Sequence, residues 1–426
     1  MTAPTPPNTP KRAVLRHVRP SDLKAAAQLI LQATQGAINI TEGVHQSVRR
    51  RLGLSNGASA EQAGGLTGQV YQAVRGVTRL VGRGTDTVLG LLLPLLDDPA
   101  THPEASPGRE AVLAALNGVV GDKLLAMDNP LAQPMELRFD GAPLSLGGAE
   151  ALAASLGTAT GPHLLLLAHG LCMSDTQWRR SGHDHGEFLA QALDCTPVYL
   201  RYNSGLHTST NGHQLALLVE RLVAAWPVPL ARITIVGHSM GGLVARSAVQ
   251  AAREAGQRWP GLLRELVFLG TPHHGAPLER AGHGVDLLLA SSTHTAPFAR
   301  LGKIRSAGIT DLRHGHVLDA DWQGRDRFES PDDHRVPLPL PEGVACYAVA
   351  GTLVGQRGLL ADRLMGDGLV PLNSALGQHE QAERRLVFAR GSQFIAYRTG
   401  HLDLLSSPDV AAQVLAWLRP VPPTED

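Results

Sequence analysis

The segment of this chain best suited to covalent chemistry is Gly237-His238-Ser239-Met240-Gly241-Gly242. The run Arg232-Ile233-Thr234-Ile235-Val236 ahead of it reads as a buried strand, and Leu243-Val244-Ala245-Arg246 behind it continues as a helix. A serine on such a strand-to-helix turn, with Gly237 and Gly241 on either side, sits on a sharp bend that lifts its hydroxyl to the carboxyl edge of a sheet. A serine hydroxyl is a weak nucleophile. It needs a base to take its proton and a third group to orient that base. Downstream, Gly366-Asp367-Gly368 follows the apolar run Ala345 to Ala350, and Thr399-Gly400-His401-Leu402 follows Arg385 to Phe388. Asp367, in a glycine-flanked loop that can aim a carboxylate, is the candidate acid. His401, just before a terminal helix, is the candidate base. Asp362 and Asp321 are rival acids, His379 is a rival base with no strand ahead of it, and Asp403 reads as structural.

Attack on a carbonyl builds an oxyanion, which needs backbone N–H donors worth about 3 kcal/mol of barrier each. Met240, directly after the serine at a helix start, is one candidate. The run His163 to Ala168 ends in His169-Gly170-Leu171-Cys172, and Leu171 is the other, with Gly170 permitting the turn. His169 has two readings, site residue or loop anchor. His238, His273 and His274 are expected to support the site, the last two by hydrogen bonding. The pairs His183-Asp184-His185 and His314-Gly315-His316 each offer two ligands without an identified third. No metal and no cofactor is expected. Cys172, Cys195 and Cys346 are odd in number and far apart, which argues against a disulfide framework and for small buried groups in a reducing compartment.

The elements that must hold these residues read in two styles. From Met135, Leu137 and Phe139, the turn Asp140-Gly141, then Leu144 and Leu146 spell a hairpin. Apolar runs then alternate with helical stretches: His163 to Ala168, Pro197 to Tyr202, Ile233 to Val236, Leu266 to Leu269, Ala345 to Ala350 and Arg385 to Phe388, with helices at Gly212 to Trp226, Gly241 to Ala255 and Asp409 to Leu418. That alternation predicts an α/β fold with a mostly parallel sheet covered by helices on both faces. Before it lie helical stripes, at Leu23 to Leu31, Ile40 to Leu52, Leu66 to Leu92 and Glu110 to Met127. Four segments follow: a helical region over 1–134, a first core part over 135–275, a His-, Asp-, Arg- and Pro-rich insertion over 276–341, and a second core part over 342–426.

These motifs together resemble a known family. Gly237 to Gly242 is similar to the lipase box, and Leu269-Gly270-Thr271-Pro272-His273-His274-Gly275 looks like the G-T-P-H-x-G of bacterial lipases and PGAP1-like serine esterases. The resemblance runs from about Met135 to the C-terminus. It implies an α/β-hydrolase fold with a lid and cleavage of carboxylic esters of lipids or related acyl compounds. Ser239 would be the nucleophile, Asp367 the acid, His401 the base, and Leu171 and Met240 the oxyanion donors. The helical first third departs from secreted lipases of this kind.

Composition sets outer bounds. The chain has 426 residues, 43% hydrophobic and 18% charged, ample for a buried core and incompatible with wholesale disorder. Lys plus Arg and Asp plus Glu are 38 each, so no global field favours nucleic acid. Aromatic residues are 4%, too few for an evident base- or sugar-stacking platform. Met1 to Pro10 lacks the apolar core of a secretory signal, and the longest apolar run, Val88 to Leu96, is broken by Gly90 and Pro94 and is too short for a membrane span. A cytoplasmic protein is expected, with an acyl-ester or lipid partner. Arg75, Arg79 and Arg83, with Arg49-Arg50-Arg51, present basic stripes that suit either a solvated face or peripheral contact with a lipid surface. An acyltransferase with the same three residues, or a lipid- or granule-associated scaffold with a vestigial hydrolase domain, are the competing readings.

Overall fold

The computed structural model describes residues 107–276, 306–325, 333–355 and 366–419. The basic stripes and the helical segments before residue 107, much of the insertion and the rival Asp362 lie outside them. The chain divides into two compact units, residues 1–112 with 128–131, and residues 113–127 with 132–426. Among the described residues no helix is long and apolar enough to cross a membrane.

The second unit is built on a sheet of eight described strands: β1 (Glu136–Phe139), β2 (Ala142–Pro143), β3 (His163–Ala168), β4 (Thr196–Arg201), β5 (Arg232–His238), β6 (Leu263–Leu269), β7 (Ala345–Thr352) and β8 (Gln393–Tyr397). They lie in the order β2-β1-β4-β3-β5-β6-β7-β8. The β1–β2 hairpin joins β4 antiparallel, and all pairings from β4 to β8 are parallel. The central strands are buried along their length, as in β3, where all six residues are inaccessible or nearly so. A strand covered on both faces reads as a continuous apolar run, and His163-Leu164-Leu165-Leu166-Leu167-Ala168 does so.

Helices close both faces. The described ones are α1 (Pro107–Ala126), α2 (Ala149–Leu156), α3 (His185–Leu193), α4 (Thr208–Ala225), α5 (Met240–Glu254), α6 (Ala307–His314), α7 (Leu372–Ala375) and α8 (Pro408–Leu418). Leu165, Leu167, Val236, Val267 and Val349 pack with Leu189 of α3 and Val410 and Val414 of α8 in one core. Strand alternation sends Leu164 and Leu166 to the opposite face, and there α4 and α5 pack against each other.

One expectation is corrected. The run Arg385 to Phe388 is not a strand. Leu386 is buried and bonds Gly377 through its amide, while Val387 is 83% exposed. The partner of β7 is β8, an edge strand with Ala396 as its one buried residue, so its sequence lacks the apolar run that marks a central strand. The helix α3, which begins at the His183 and His185 pair, was not singled out in the sequence. Its mark is Asp184, whose carboxylate accepts from the amides of Gly186 (2.7 Å) and Glu187 (3.1 Å) as an N-cap.

The close fit of α4 on α5 matters because α5 carries the serine turn at its start. A methyl on Gly212 of α4 would run into the side chain of Ser247 on α5. Gly212→Val should therefore lower stability in urea unfolding by about 1–3 kcal/mol through overpacking. Unchanged stability would contradict the fit.

Candidate active site

Ser239 links β5 to α5 with φ 53° and ψ −122°, a left-handed conformation that an ordinary side chain avoids. The glycines around it leave no room for anything larger. A Cβ on Gly237 would stand 2.5 Å from the Gly242 nitrogen, and one on Gly241 would drive into the Ala168 carbonyl. The Ser239 amide donates to the Leu269 carbonyl at 2.8 Å, which pins the turn across the end of β6.

Past Leu269 the chain reaches Gly270 (φ 58°), where a Cβ would lie 3.2 Å from Asp367 Oδ2 and 3.2 Å from His401 Cε1. The end of β6 therefore lies between the serine turn and the two other candidates. His401 Nδ1 and Asp367 Oδ2 are 2.7 Å apart, with both side chains buried. The other carboxylate oxygen accepts from the amides of Leu369 (3.0 Å) and Val370 (2.8 Å), so the loop itself aims the carboxylate. The amide of His401 donates to the Asp367 carbonyl at 3.0 Å. A carboxylate only accepts, so Nδ1 carries the proton and Nε2 keeps its lone pair. Among the described residues Nε2 is buried with no hydrogen-bond partner. His238, on the serine turn, stands 4.8 Å from the His401 ring and donates from Nε2 to the His401 carbonyl at 3.1 Å.

The oxyanion candidates lie on the same edge. A Cβ on Gly170 would be 3.0 Å from the Ser239 Cβ and 3.1 Å from His238 Nδ1, so the loop after β3 touches the serine turn. Leu171 follows it, buried. Met240 is the first residue of α5, where an amide has no helical acceptor.

His169 is a loop anchor. Its Nδ1 donates to the Gly170 carbonyl at 2.8 Å, its Nε2 accepts from the Tyr202 amide at 3.4 Å, and its ring stacks on Tyr202 at 4.3 Å. Tyr202, whose hydroxyl donates to the His169 carbonyl at 2.8 Å, was not evident from the sequence, its one mark being its place at the end of a strand. Trp178 is a second such residue, edge-on to both His185 and His238. His273 and His274 are brought to a neighbouring pocket instead of the imidazole of His401. The His273 ring sits against Phe268 and Phe388, and Arg246 reaches its Nδ1 at 3.4 Å. His379 stands beside His274 and Asp333, and Asp321 accepts backbone amides of its own loop. Asp403 accepts from the Gly400 amide. His185 spends Nε2 on the Leu404 carbonyl, and among the described residues no group of three His, Cys, Asp or Glu side chains is arranged to hold a metal.

Residues 160–335 match the PGAP1-like alpha/beta domain family. That stretch begins just before β3 and contains the serine turn and the Gly270-Thr271-Pro272-His273 loop. That stretch is therefore similar to the PGAP1-like alpha/beta domain. Asp367 and His401 lie beyond the matched residues, so their placement rests on the geometry above. Among solved structures, the mature form of lipase BlEst2 from Bacillus licheniformis is 18% identical, covering 61% of this chain and 92% of that one at a TM-score of 0.38. Aspergillus fumigatus lipase B is 10% identical, covering 79% and 80% at 0.38. The naproxen esterase of Bacillus subtilis is 13% identical, covering 61% and 86% at 0.34. No curated protein matches the sequence.

Burial of histidines in and around the sheet makes stability depend on pH. Burial lowers His163, His169 and His185 from the ordinary 6.5 to about 4. Between those values the unfolded chain binds protons that the folded chain refuses, so stability is full above pH 6.5 and falls as pH drops toward 4. Each histidine contributes a slope of about 1.4 kcal/mol per pH unit in that window. Urea unfolding at pH 7, 6 and 5 should show a progressive loss, and a flat profile would contradict the neutral, buried state of these rings.

Proposed function

We propose that this chain is a serine hydrolase that cleaves carboxylic esters of acyl or lipid substrates through Ser239, His401 and Asp367. The observation that carries the reading is the buried Asp367–His401 pair, its Nε2 unpartnered, at the same sheet edge as the strained serine turn.

The roles follow from the proton inventory. Ser239 Oγ attacks the ester carbonyl carbon while its proton passes to His401 Nε2, leaving an imidazolium that faces the Asp367 carboxylate. The carbonyl oxygen becomes an oxyanion that the Leu171 and Met240 amides receive. Collapse breaks the carbon–oxygen bond to the alcohol, which leaves with the proton from Nε2. Water then repeats the sequence on the acyl-enzyme and returns the free acid and the serine. Asp367 keeps its negative charge throughout. Its work is to hold the tautomer and to stabilise the imidazolium.

Two substitutions test this on p-nitrophenyl esters of graded chain length. Ser239→Ala should reduce turnover to background. Asp367→Asn should lower kcat by about 10³–10⁴-fold with KM little changed, because the amide favours the wrong imidazole tautomer. Undiminished turnover in Ser239→Ala would end the reading.

A further inference from the structure

On the flank of α5, away from the serine turn, lies a small pocket open to solvent, with room of about 20 Å³ for a water-sized group. Its lining includes Arg246, His273, His274, Asp321, Arg335 and Arg384. Arg335 and Arg384 share the carboxylate of Asp333, at 2.6 Å and 3.2 Å. The Asp321 carboxylate is taken by three backbone amides, those of Val317, Leu318 and Val336. Three guanidiniums against two carboxylates leave one positive charge in excess in this cluster, and Arg246 is the guanidinium without an ion pair of its own.

Arg246 is 5% exposed, and among the described residues no carboxylate comes within ion-pair distance of it. Its two terminal nitrogens reach the Leu338 carbonyl and His273 Nδ1, while its Nε is buried without a partner. A guanidinium can only donate, so His273 Nδ1 accepts and the proton of that ring sits on Nε2. That Nε2–H is also buried without a partner. Burial holds His273 well below, and His274 at about 4 from, the usual 6.5, so both rings are neutral at pH 7 and present donors without added charge. An unpaired buried cation beside orphaned donors is an expensive arrangement unless something anionic completes it.

We propose that this pocket is a binding site for a tetrahedral oxygen anion of the phosphate class, held by Arg246 with His273. Fork-shaped guanidiniums match such an anion's geometry, and neutral imidazole N–H groups add bonds without repelling a partner cation. The site is separate from the serine turn and does not depend on the hydrolase reading.

The test reads binding and not turnover. Inorganic phosphate is titrated into the full chain at constant ionic strength, by calorimetry and by thermal unfolding, with chloride as the control. A second arm uses vesicles of phosphatidylcholine with and without phosphatidic acid, to separate a free anion from a lipid headgroup. The site predicts saturable one-to-one binding of phosphate, or of the phosphatidic acid vesicles alone, and a rise in Tm. Arg246→Gln should weaken that binding by about tenfold or more. Because removing a buried arginine can disturb folding, Val336→Glu is the second variant. Val336 lines the pocket and is 46% exposed, so a carboxylate there enters the pocket from solvent. It should raise Tm without phosphate and abolish the phosphate response. Absence of binding by either source, or a phosphate response that survives Val336→Glu, would overturn the proposal.

Discussion

One bend governs the functional half of this molecule. Ser239 is held at φ 53° between a buried strand and the first turn of a buried helix. That conformation costs on the order of 1–3 kcal/mol and persists only where surrounding structure enforces it. The enforcement is steric and comes from neighbours on both sides. Gly237 lies against Gly242, Gly241 against the Ala168 carbonyl at the end of β3, and Gly242 against Thr271 after β6. Three strand ends thus meet at one serine, and the loops leaving them are the ones that carry the remaining groups.

Those groups are held by backbone more than by one another. The Asp367 carboxylate is aimed by two amides of its own loop, and the His401 amide is bonded to the Asp367 carbonyl. His238 ties the serine turn to the carbonyl of His401, and His169 ties the loop after β3 to Tyr202. Each tie uses a neutral imidazole in a tautomer that its partners dictate. His169 and His238 therefore act as a scaffold, and among the described residues His401 Nε2 and His238 Nδ1 are left without a hydrogen-bond partner.

Much of this was legible because it is encoded in short-range sterics. Glycines at 237, 241 and 242 around a serine leave few geometries, and a glycine-flanked Asp367 and Gly400-His401 sit at strand ends where loops must turn. The central strands were legible because burial on both faces demands unbroken apolar runs. Where burial is one-sided the signal fades: β8 keeps only Ala396 buried, and the more apolar Arg385 to Phe388 drew the expectation away from it. The α3 helix was hidden behind His183 and His185, whose types suggest metal chemistry more loudly than Asp184 suggests a cap. The arginine pocket was illegible for another reason. Arg246, His273, Arg335 and Arg384 come from four distant segments, and only the folded chain shows that one guanidinium lacks a carboxylate.

The central claim is that the bend and the Asp367–His401 pair together make Ser239 an activated nucleophile. Labelling the intact protein with a fluorophosphonate and mapping the modified peptide by mass spectrometry tests it most directly, because phosphonylation needs a deprotonatable serine and a receptive oxyanion site but no knowledge of the natural ester. The account predicts stoichiometric labelling confined to Ser239 that is lost in His401→Ala. Labelling at another residue, or labelling of Ser239 that persists at the same rate without His401, would contradict it.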